Sequence, residues 1–457
     1  LVVAAVLLAA GVLGSRASLP VLALLCAGIA SVVLARHPNL GLLAIIATAL
    51  LVPFELGTGR EVSLNLSALL VPATFALWFL MTVRHRDVHL PQSGTSKPLL
   101  LFTLASLLSL VVGTAYWDPA VPRPSNFLIV QLGQWGIFVL SSLAFWLIAA
   151  LVREEVWLRR LTLVFLVIAG VVAAMRVLPG FQPFTERIAT YAVNRAPFWM
   201  LLAATASGQL LFNRALSARW RLFLLATMAI VLFYAFVLER KTLSNLAGVA
   251  TVFGVLAWLR WPRYRWLYIA VALAAVVAFS PSIFDFAGGE DEWEESGGSR
   301  LALSGRVVEL TLRNPITGLG PAAYRPYGRV VPLAYLGAFY DNLGLSSHNN
   351  YVDLFSHAGL LGLGLFAWFA AEVFRLAVRL RSRYRDGFSA GYVNAMLAAW
   401  AGALVLMVFA DWILPFVYNI GFLGFQASVL VWLFLGGLVA LEQMASIHKE
   451  ESQAAHV

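Results

Sequence analysis

Charge and cysteine are what this sequence has least of. Only 12% of the 457 residues are charged, against 61% hydrophobic. A water-soluble chain of this length needs far more polar surface, so most apolar side chains must face lipid or other helices. The lone cysteine, Cys26, lies in an apolar run. It has no intramolecular partner for a disulfide and reads as inert helix packing. Alternating strands of about ten residues, the mark of a transmembrane barrel, do not appear. Nor does an internal repeat, so a transporter built from inverted halves is not suggested. No cleavable signal segment is visible, and the first apolar stretches are expected to be retained spans. The net charge of +9 arises mainly from Arg-rich breaks between apolar stretches, a membrane-topology pattern, and no nucleic-acid partner is expected.

Long apolar runs are what the chain does have. A bilayer's hydrocarbon core demands roughly 17–25 apolar residues of a helix, and a helix satisfies its backbone groups within one segment. Spans are expected at 1–14, 19–35, 39–54, 64–83, 98–116, 127–152, 161–178, 197–212, 222–238, 243–259, 266–284, 354–374, 391–410 and 420–441. The fold class is therefore all-α, a polytopic inner-membrane protein of about 12–14 transmembrane helices. The Arg-rich breaks Arg84–Arg86, Arg153–Arg160, Arg214–Arg221, Arg260–Arg265 and Arg375–Arg385 fall alternately on one side. The positive-inside rule makes that side, and with it the C-terminal tail, cytoplasmic. Yet Arg176, Arg195, Arg240 and Lys241 stand at outer span ends. An anion at the outer leaflet accounts for them economically.

One break differs in kind. Residues 285–353 form a long outer, periplasmic loop between a transmembrane region, 1–284, and C-terminal helices with a cytoplasmic tail, 354–457. Loops longer than about 15 residues are usually functional or disordered. This one opens with the acidic, Gly-rich segment Asp285–Gly298, whose consecutive carboxylates lack the turn pattern of a Ca²⁺ loop and read as a solvated stretch. From Leu301 to Leu312 apolar residues recur at helical spacing, with Arg306, Glu309 and Arg313 between them. Asn314-Pro315 stops that helix and Gly318-Leu319-Gly320-Pro321 makes a turn. An ordered lid with one amphipathic helix is expected at the membrane surface, Gly288, Gly289, Gly297 and Gly298 supplying hinges.

Each candidate site has a bland reading beside its chemical one. Arg240 and Lys241 follow an outward-going span directly. They read either as snorkelling anchors or as a paired phosphate site, with Glu239 offsetting one charge. Arg306 opens the amphipathic helix, where free N–H groups and the helix dipole attract anions and a guanidinium fork fits phosphate oxygens; an exposed helical Arg is otherwise simply solvated. Arg187 and Arg195 could extend an anion site or serve as interfacial anchors. His348, in His348-Asn349-Asn350-Tyr351, is a candidate catalytic base, since imidazole titrates at about 6.5. Asn349 and Asn350 could equally cap the next helix. His357 is a second imidazole, inside an apolar run.

In order, Ser304-Gly305-Arg306, Asn314-Pro315-Ile316-Thr317-Gly318-Leu319-Gly320, His348-Asn349-Asn350-Tyr351 and Gly359-Leu360-Leu361-Gly362 resemble the O-antigen ligase and polymerase superfamily over roughly 225–375. Its shared pattern is an Arg at the head of a loop helix, a Pro-x-x-Gly-x-Gly turn and a His-Asn-x-Tyr ending. Arg240 matches the basic residue after an outward span, although Glu239-Arg240-Lys241 departs from relatives with small neighbours and leaves Lys241 as its rival. The resemblance implies a metal-independent, GT-C-like glycosyltransferase without a cofactor, acting at the periplasmic face. The donor would be a glycan on undecaprenyl pyrophosphate and, for a ligase, the acceptor a lipid A–core sugar hydroxyl. Arg306, Arg240 and His348 are the matched positions. Lys241, Arg195 and Arg187 are further candidates for the pyrophosphate, and Asn349, Asn350 and Tyr351 for support. A polymerase and a protein O-oligosaccharyltransferase share donor and fold. A transporter or flippase for an anionic lipid would place ionisable residues near mid-span, where this sequence has almost none.

Overall fold

The computed structural model describes residues 28, 32–34, 36–57, 63–84, 86, 91–270, 273–274, 298–328, 330, 333–335, 338–340 and 345–454. The span expected at 1–14 and most of those at 19–35 and 266–284, together with Cys26, most of the acidic segment and Gly288, Gly289 and Gly297, lie outside the described residues. Gly298 is described; it opens a helix and is buried.

The other eleven expected spans are all helices. They are α1 (Asn39–Leu51), α2 (Leu66–Arg84), α3 (Ser96–Ala115), α4 (Phe127–Leu151), α5 (Glu155–Val177), α7 (Ala196–Phe212), α8 (Ala218–Phe233), α9 (Leu243–Arg260), α11 (Asn350–Arg383), α12 (Gly387–Phe409) and α13 (Gly421–Ala454). Nine of these helices are long and apolar enough to cross a membrane, and α1 and α7 are shorter apolar helices. The protein is an all-α polytopic membrane protein. Between the spans lie the short α6 (Gln182–Ile188), α10 (Gly298–Thr311), the amphipathic helix expected in the long loop, and a single helical turn at Tyr324–Tyr327. Two small antiparallel hairpins were not foreseen: β1 (Glu55–Gly57) with β2 (Ser63–Asn65), and β3 (Leu333–Tyr335) with β4 (Ala338–Tyr340).

Helices in lipid gain little from burying apolar surface against one another, so close packing and shared hydrogen bonds must hold them. Small residues permit that closeness here. Gly208 on α7 faces the Gly391 carbonyl and Ala395 on α12, and Gly436 on α13 faces the Phe145 carbonyl on α4. Buried amides then bridge helices: Gln209 Nε2 donates to the Phe388 carbonyl at 3.1 Å, and Gln134 Nε2 to that of Pro415 at 3.0 Å. α13 runs through the centre, and Phe366, Phe369, Trp400 and Trp432 form a continuous aromatic core beside it.

The charge pattern's alternation is realised. At one end Asp386 pairs with Arg214 at 3.8 Å, Glu155 accepts from Ser389 at 2.7 Å, and Arg379 bonds Glu442 at 2.9 Å. These are the Arg-rich breaks. The opposite end gathers the starts of α4, α7, α9, α11 and α13 with the ends of α3, α5, α8 and α12, and carries α10.

One of the two 34-residue helices is broken. Within α11, Gly359 adopts φ +66° and ψ −168°, a region essentially reserved for glycine. The turn 314–320 occupies the break: Leu319 N–H donates to the Ser356 carbonyl at 2.8 Å, and Leu360 and Leu361 N–H donate to Pro315 and Ile316 at 2.9 and 3.1 Å. Backbone groups freed at membrane depth must be satisfied by protein, and this turn satisfies them. A Cβ on Gly318 or Gly359 would strike the opposite backbone, and one on Gly113 of α3 would strike the Leu319 carbonyl. The Pro-x-x-Gly-x-Gly pattern and Gly359 thus form one structural joint.

Candidate functional site

α11 begins at Asn350, four residues before the expected 354, because Asn349 is its cap. The Asn349 side-chain oxygen accepts from Tyr351 and Val352 N–H at 2.9 and 3.2 Å, and its Nδ2 donates to the Val408 carbonyl at 3.1 Å. This is the capping option raised by the sequence. Tyr351 Oη donates to the Leu404 carbonyl at 2.8 Å. Asn350 clamps the segment between α12 and α13. Its Oδ1 accepts from Ile413 and Leu414 N–H at 3.1 and 3.2 Å, and its Nδ2 donates to the Leu414 carbonyl at 2.7 Å.

His348 sits just before this cap at φ +48°, left-handed backbone that few side chains adopt. Ser347 fixes the turn on one side: its hydroxyl lies 2.6 Å from Asp353 Oδ1 and accepts from Asn349 N–H at 3.1 Å. Ser304 on α10 donates to the Ser347 carbonyl at 2.7 Å, docking the amphipathic helix against the His348 turn. Residues one helical turn apart share a face, so Arg300 lies on the Ser304 side. Arg300 Nη1 donates to the Phe409 carbonyl at 3.3 Å, and Arg325 Nη1 to the Tyr418 carbonyl at 3.0 Å. Burial, then the charges of Arg300 and Arg325, push the His348 imidazole down to about 4. It is therefore neutral near pH 7 and feels the charge of two guanidinium groups.

The predicted cations distribute unevenly around this centre. Arg195 caps α7 with its guanidinium 3.7 Å from the Tyr191 ring centroid and 5.4 Å from that of Trp412. Burial pushes it below the usual arginine range, while Tyr234 and Asp411 act in the opposite sense. Asp411 also feels Arg300, so Arg195, Asp411, Arg300 and His348 form one electrostatic neighbourhood. Arg306 turns elsewhere. At 100° per residue it lies about 200° around α10 from Ser304, and its Nη1 pairs with Glu309 at 2.9 Å. Arg240 and Lys241 are exposed in the turn between α8 and α9. That turn follows a π-helical stretch, Tyr234–Leu238, whose Tyr234 stacks on Trp199 at 3.7 Å; such local insertions often mark functional sites. Arg187 is exposed at the end of α6.

Sequence reasoning missed Arg300, Arg325, Asp411 and Asn419. Asn419 Nδ2 is 3.4 Å from His348 Nδ1 and donates to Asp411 Oδ1 at 2.7 Å. Arg300 could have been found as the residue one turn before Ser304. The others depend on the clamp made by Asn350, for which the linear sequence carries no signal. His357, the second imidazole, is a wall element. It stacks on Tyr324 and lies tilted to Phe416, and its Nδ1 accepts from Ala322 N–H at 3.2 Å.

The arrangement offers a neutral imidazole, flanking guanidinium groups and a helix start, all at one end of the bundle. A family model described as O-antigen ligase matches residues 227–367, and none of the curated proteins compared matches the chain. The match runs from α8 to the first half of α11, so it contains Arg240, Arg300, Arg306, Arg325 and His348 and leaves out Arg195, Asp411 and Asn419. It speaks for a ligase- or polymerase-type function in glycan processing.

Proposed function

We propose that this chain is an O-antigen ligase: an inverting, metal-independent glycosyltransferase that moves a glycan from undecaprenyl pyrophosphate to a lipid A–core sugar hydroxyl. The observation carrying this reading is His348 within the electrostatic reach of Arg300 and Arg325 at one end of a membrane bundle, within the stretch matched by the family model. In this scheme the acceptor hydroxyl oxygen attacks the anomeric carbon while the bond from that carbon to the pyrophosphate oxygen breaks. The electron pair leaves with the pyrophosphate, and the hydroxyl proton passes to His348, worth about 10²–10⁴-fold in rate. Guanidinium groups already in place balance the growing negative charge. Arg300 and Arg325 serve there first, with Arg195 beside them and Arg240, Lys241, Arg306 and Arg187 guiding the donor from the rim. Asn349, Asn350 and Tyr351 hold the turn that aims the imidazole. A single displacement inverts the anomeric carbon.

A neutral His348 suits both steps. Burial lowers its proton affinity most, and the two cations that lower it further are those the diphosphate would neutralise, so donor binding raises the basicity of the imidazole when a proton is to be taken. With periplasmic orientation and a cytoplasmic C-terminus, as the charge pattern predicts, the site would meet donor and acceptor in the outer leaflet of the inner membrane.

The test is transfer by purified protein in detergent with the lipid-linked donor, offering lipid A–core, an unextended lipid-linked repeat or a pilin-type peptide as acceptor. Transfer to lipid A–core supports the ligase. Transfer only to the repeat or only to peptide replaces it with the polymerase or the protein glycosylating enzyme. If His348→Ala, folded, transfers at the wild-type rate, the base assignment fails.

A further inference from the structure

Asp411 and Asn419 lie outside the family-matched stretch, yet they back the candidate base. The segment that carries them is fixed by the Asn350 clamp. There Asp411 is buried, with Oδ2 accepting from Phe416 N–H at 2.8 Å and Oδ1 from the Asn419 amide at 2.7 Å. The same Asn419 atom is 3.4 Å from His348 Nδ1. A side-chain amide can exchange its oxygen and nitrogen by turning about its last bond, so this line of three groups has two self-consistent hydrogen-bond patterns. With Asp411 ionised, Asn419 Nδ2 donates both to the carboxylate and to His348 Nδ1, and the imidazole proton sits on Nε2. With Asp411 protonated, its O–H donates to Asn419 Oδ1. That oxygen also accepts Nδ1–H, and Nε2 keeps a free lone pair.

We propose that Asp411 is a positioning residue that sets the tautomer of His348 through Asn419, the protonated acid giving the imidazole whose Nε2 is free to act. The inference rests on His348 being the base. The switch is balanced: Asp411 takes one proton from solvent, and the single imidazole proton exchanges between Nε2 and Nδ1. After transfer, the imidazolium keeps Nδ1–H on Asn419 Oδ1, so one arrangement serves before and after the proton arrives.

The groups around Asp411 act in both senses. Asp353 on α11, itself bonded to Tyr324 Oη at 3.0 Å and to Ser347, is a second buried acid that repels it. Arg300 from α10 and Arg195 from the start of α7 favour the anion, and Tyr324 faces both acids. Burial is the largest effect and pushes the Asp411 carboxyl up.

The experiment is the pH profile of kcat and KM for transfer by the full chain in detergent, with the lipid-linked donor and lipid A–core acceptor. Asp411→Asn fixes the protonated-acid pattern, because its amide donates to Asn419 Oδ1 at every pH while its own oxygen keeps the Phe416 N–H. It is expected to outperform His348→Ala and to lose the alkaline limb of the wild-type profile. Asn419→Leu cuts the line, and is expected to lower kcat, leave KM for the donor unchanged and also remove that limb. An alkaline limb unchanged in Asp411→Asn overturns the proposal, as does a folded Asp411→Asn no more active than His348→Ala. Should Asp411→Asn fail to fold, an unchanged limb in Asn419→Leu overturns it. Wild-type transfer by His348→Ala strikes instead at the base assignment.

Discussion

Gly359→Ala tests the joint on which the site is built. The native φ of +66° with ψ −168° costs a non-glycine residue about 1–3 kcal/mol. The added methyl would also press on the Ile316 carbonyl and the Gly318 amide, and overpacking of this kind costs about 1–3 kcal/mol. The sum, about 2–6 kcal/mol, is a large share of the 5–15 kcal/mol typical of a folded domain. Relief requires the turn 314–320 to withdraw, which releases the bonds from Leu319, Leu360 and Leu361. Gly364, on the same helix, has open space where a Cβ would go, so Gly364→Ala is the matched control and should be neutral or slightly stabilising. Thermal unfolding in detergent should show a marked loss for Gly359→Ala. Hydrogen exchange should quicken at Leu319, Leu360 and Leu361. If both variants melt together and those amides stay protected, the glycine is not what permits the break.

Arg300→Gln or Arg325→Gln should raise the imidazole of His348 toward its ordinary value, moving the acid limb of kcat/KM to higher pH; an unmoved limb would remove those cations from the site. His348 also predicts acid sensitivity of the fold. Its folded value of about 4 lies below the ordinary 6.5, so between those values the unfolded chain binds the extra proton and stability falls as pH drops. His348→Gln should flatten the Tm-versus-pH curve across that window. Asn349→Ala removes the α11 cap and should cost about 0.5–2 kcal/mol, read as a drop in Tm. Arg306→Gln, whose ion pair with Glu309 is partly exposed, should change stability by about 0–1 kcal/mol. A loss of donor affinity in that variant would count it among the donor's ligands.

The helices were legible because lipid imposes one rule along the whole chain, and every described span falls where an apolar run predicted it. The ends were less legible: α5 begins at Glu155 where 161 was expected, α11 and α13 run on to Arg383 and Ala454 where 374 and 441 were expected, and α11 starts early because Asn349 bonds forward to Tyr351 and Val352. The site was only half legible. His348 stands out by its chemistry. Spacing singled out Arg306 and passed over Arg300, and Arg300 comes to the site through a contact across the chain, from Ser304 to the Ser347 carbonyl. Asp411 and Asn419 had no signal at all, because the amide of Asn350 brings them in from a segment more than sixty residues later. The glycines of the 314–320 turn announced a bend, but not that its partner is Gly359.

The break at Gly359 has a mechanical consequence. Unbroken, the 34 residues of α11 would make a rod about 50 Å long, longer than the hydrocarbon layer, and each change in tilt or membrane thickness would lever its outer tip. A glycine joint pinned by a neighbouring turn separates that rod into a long strut and a short stub. The strut can follow the bilayer while the stub, with the imidazole at its head, stays registered to the rest of the bundle. A lipid-embedded machine can thereby keep one end in register while its other end moves with a fluid.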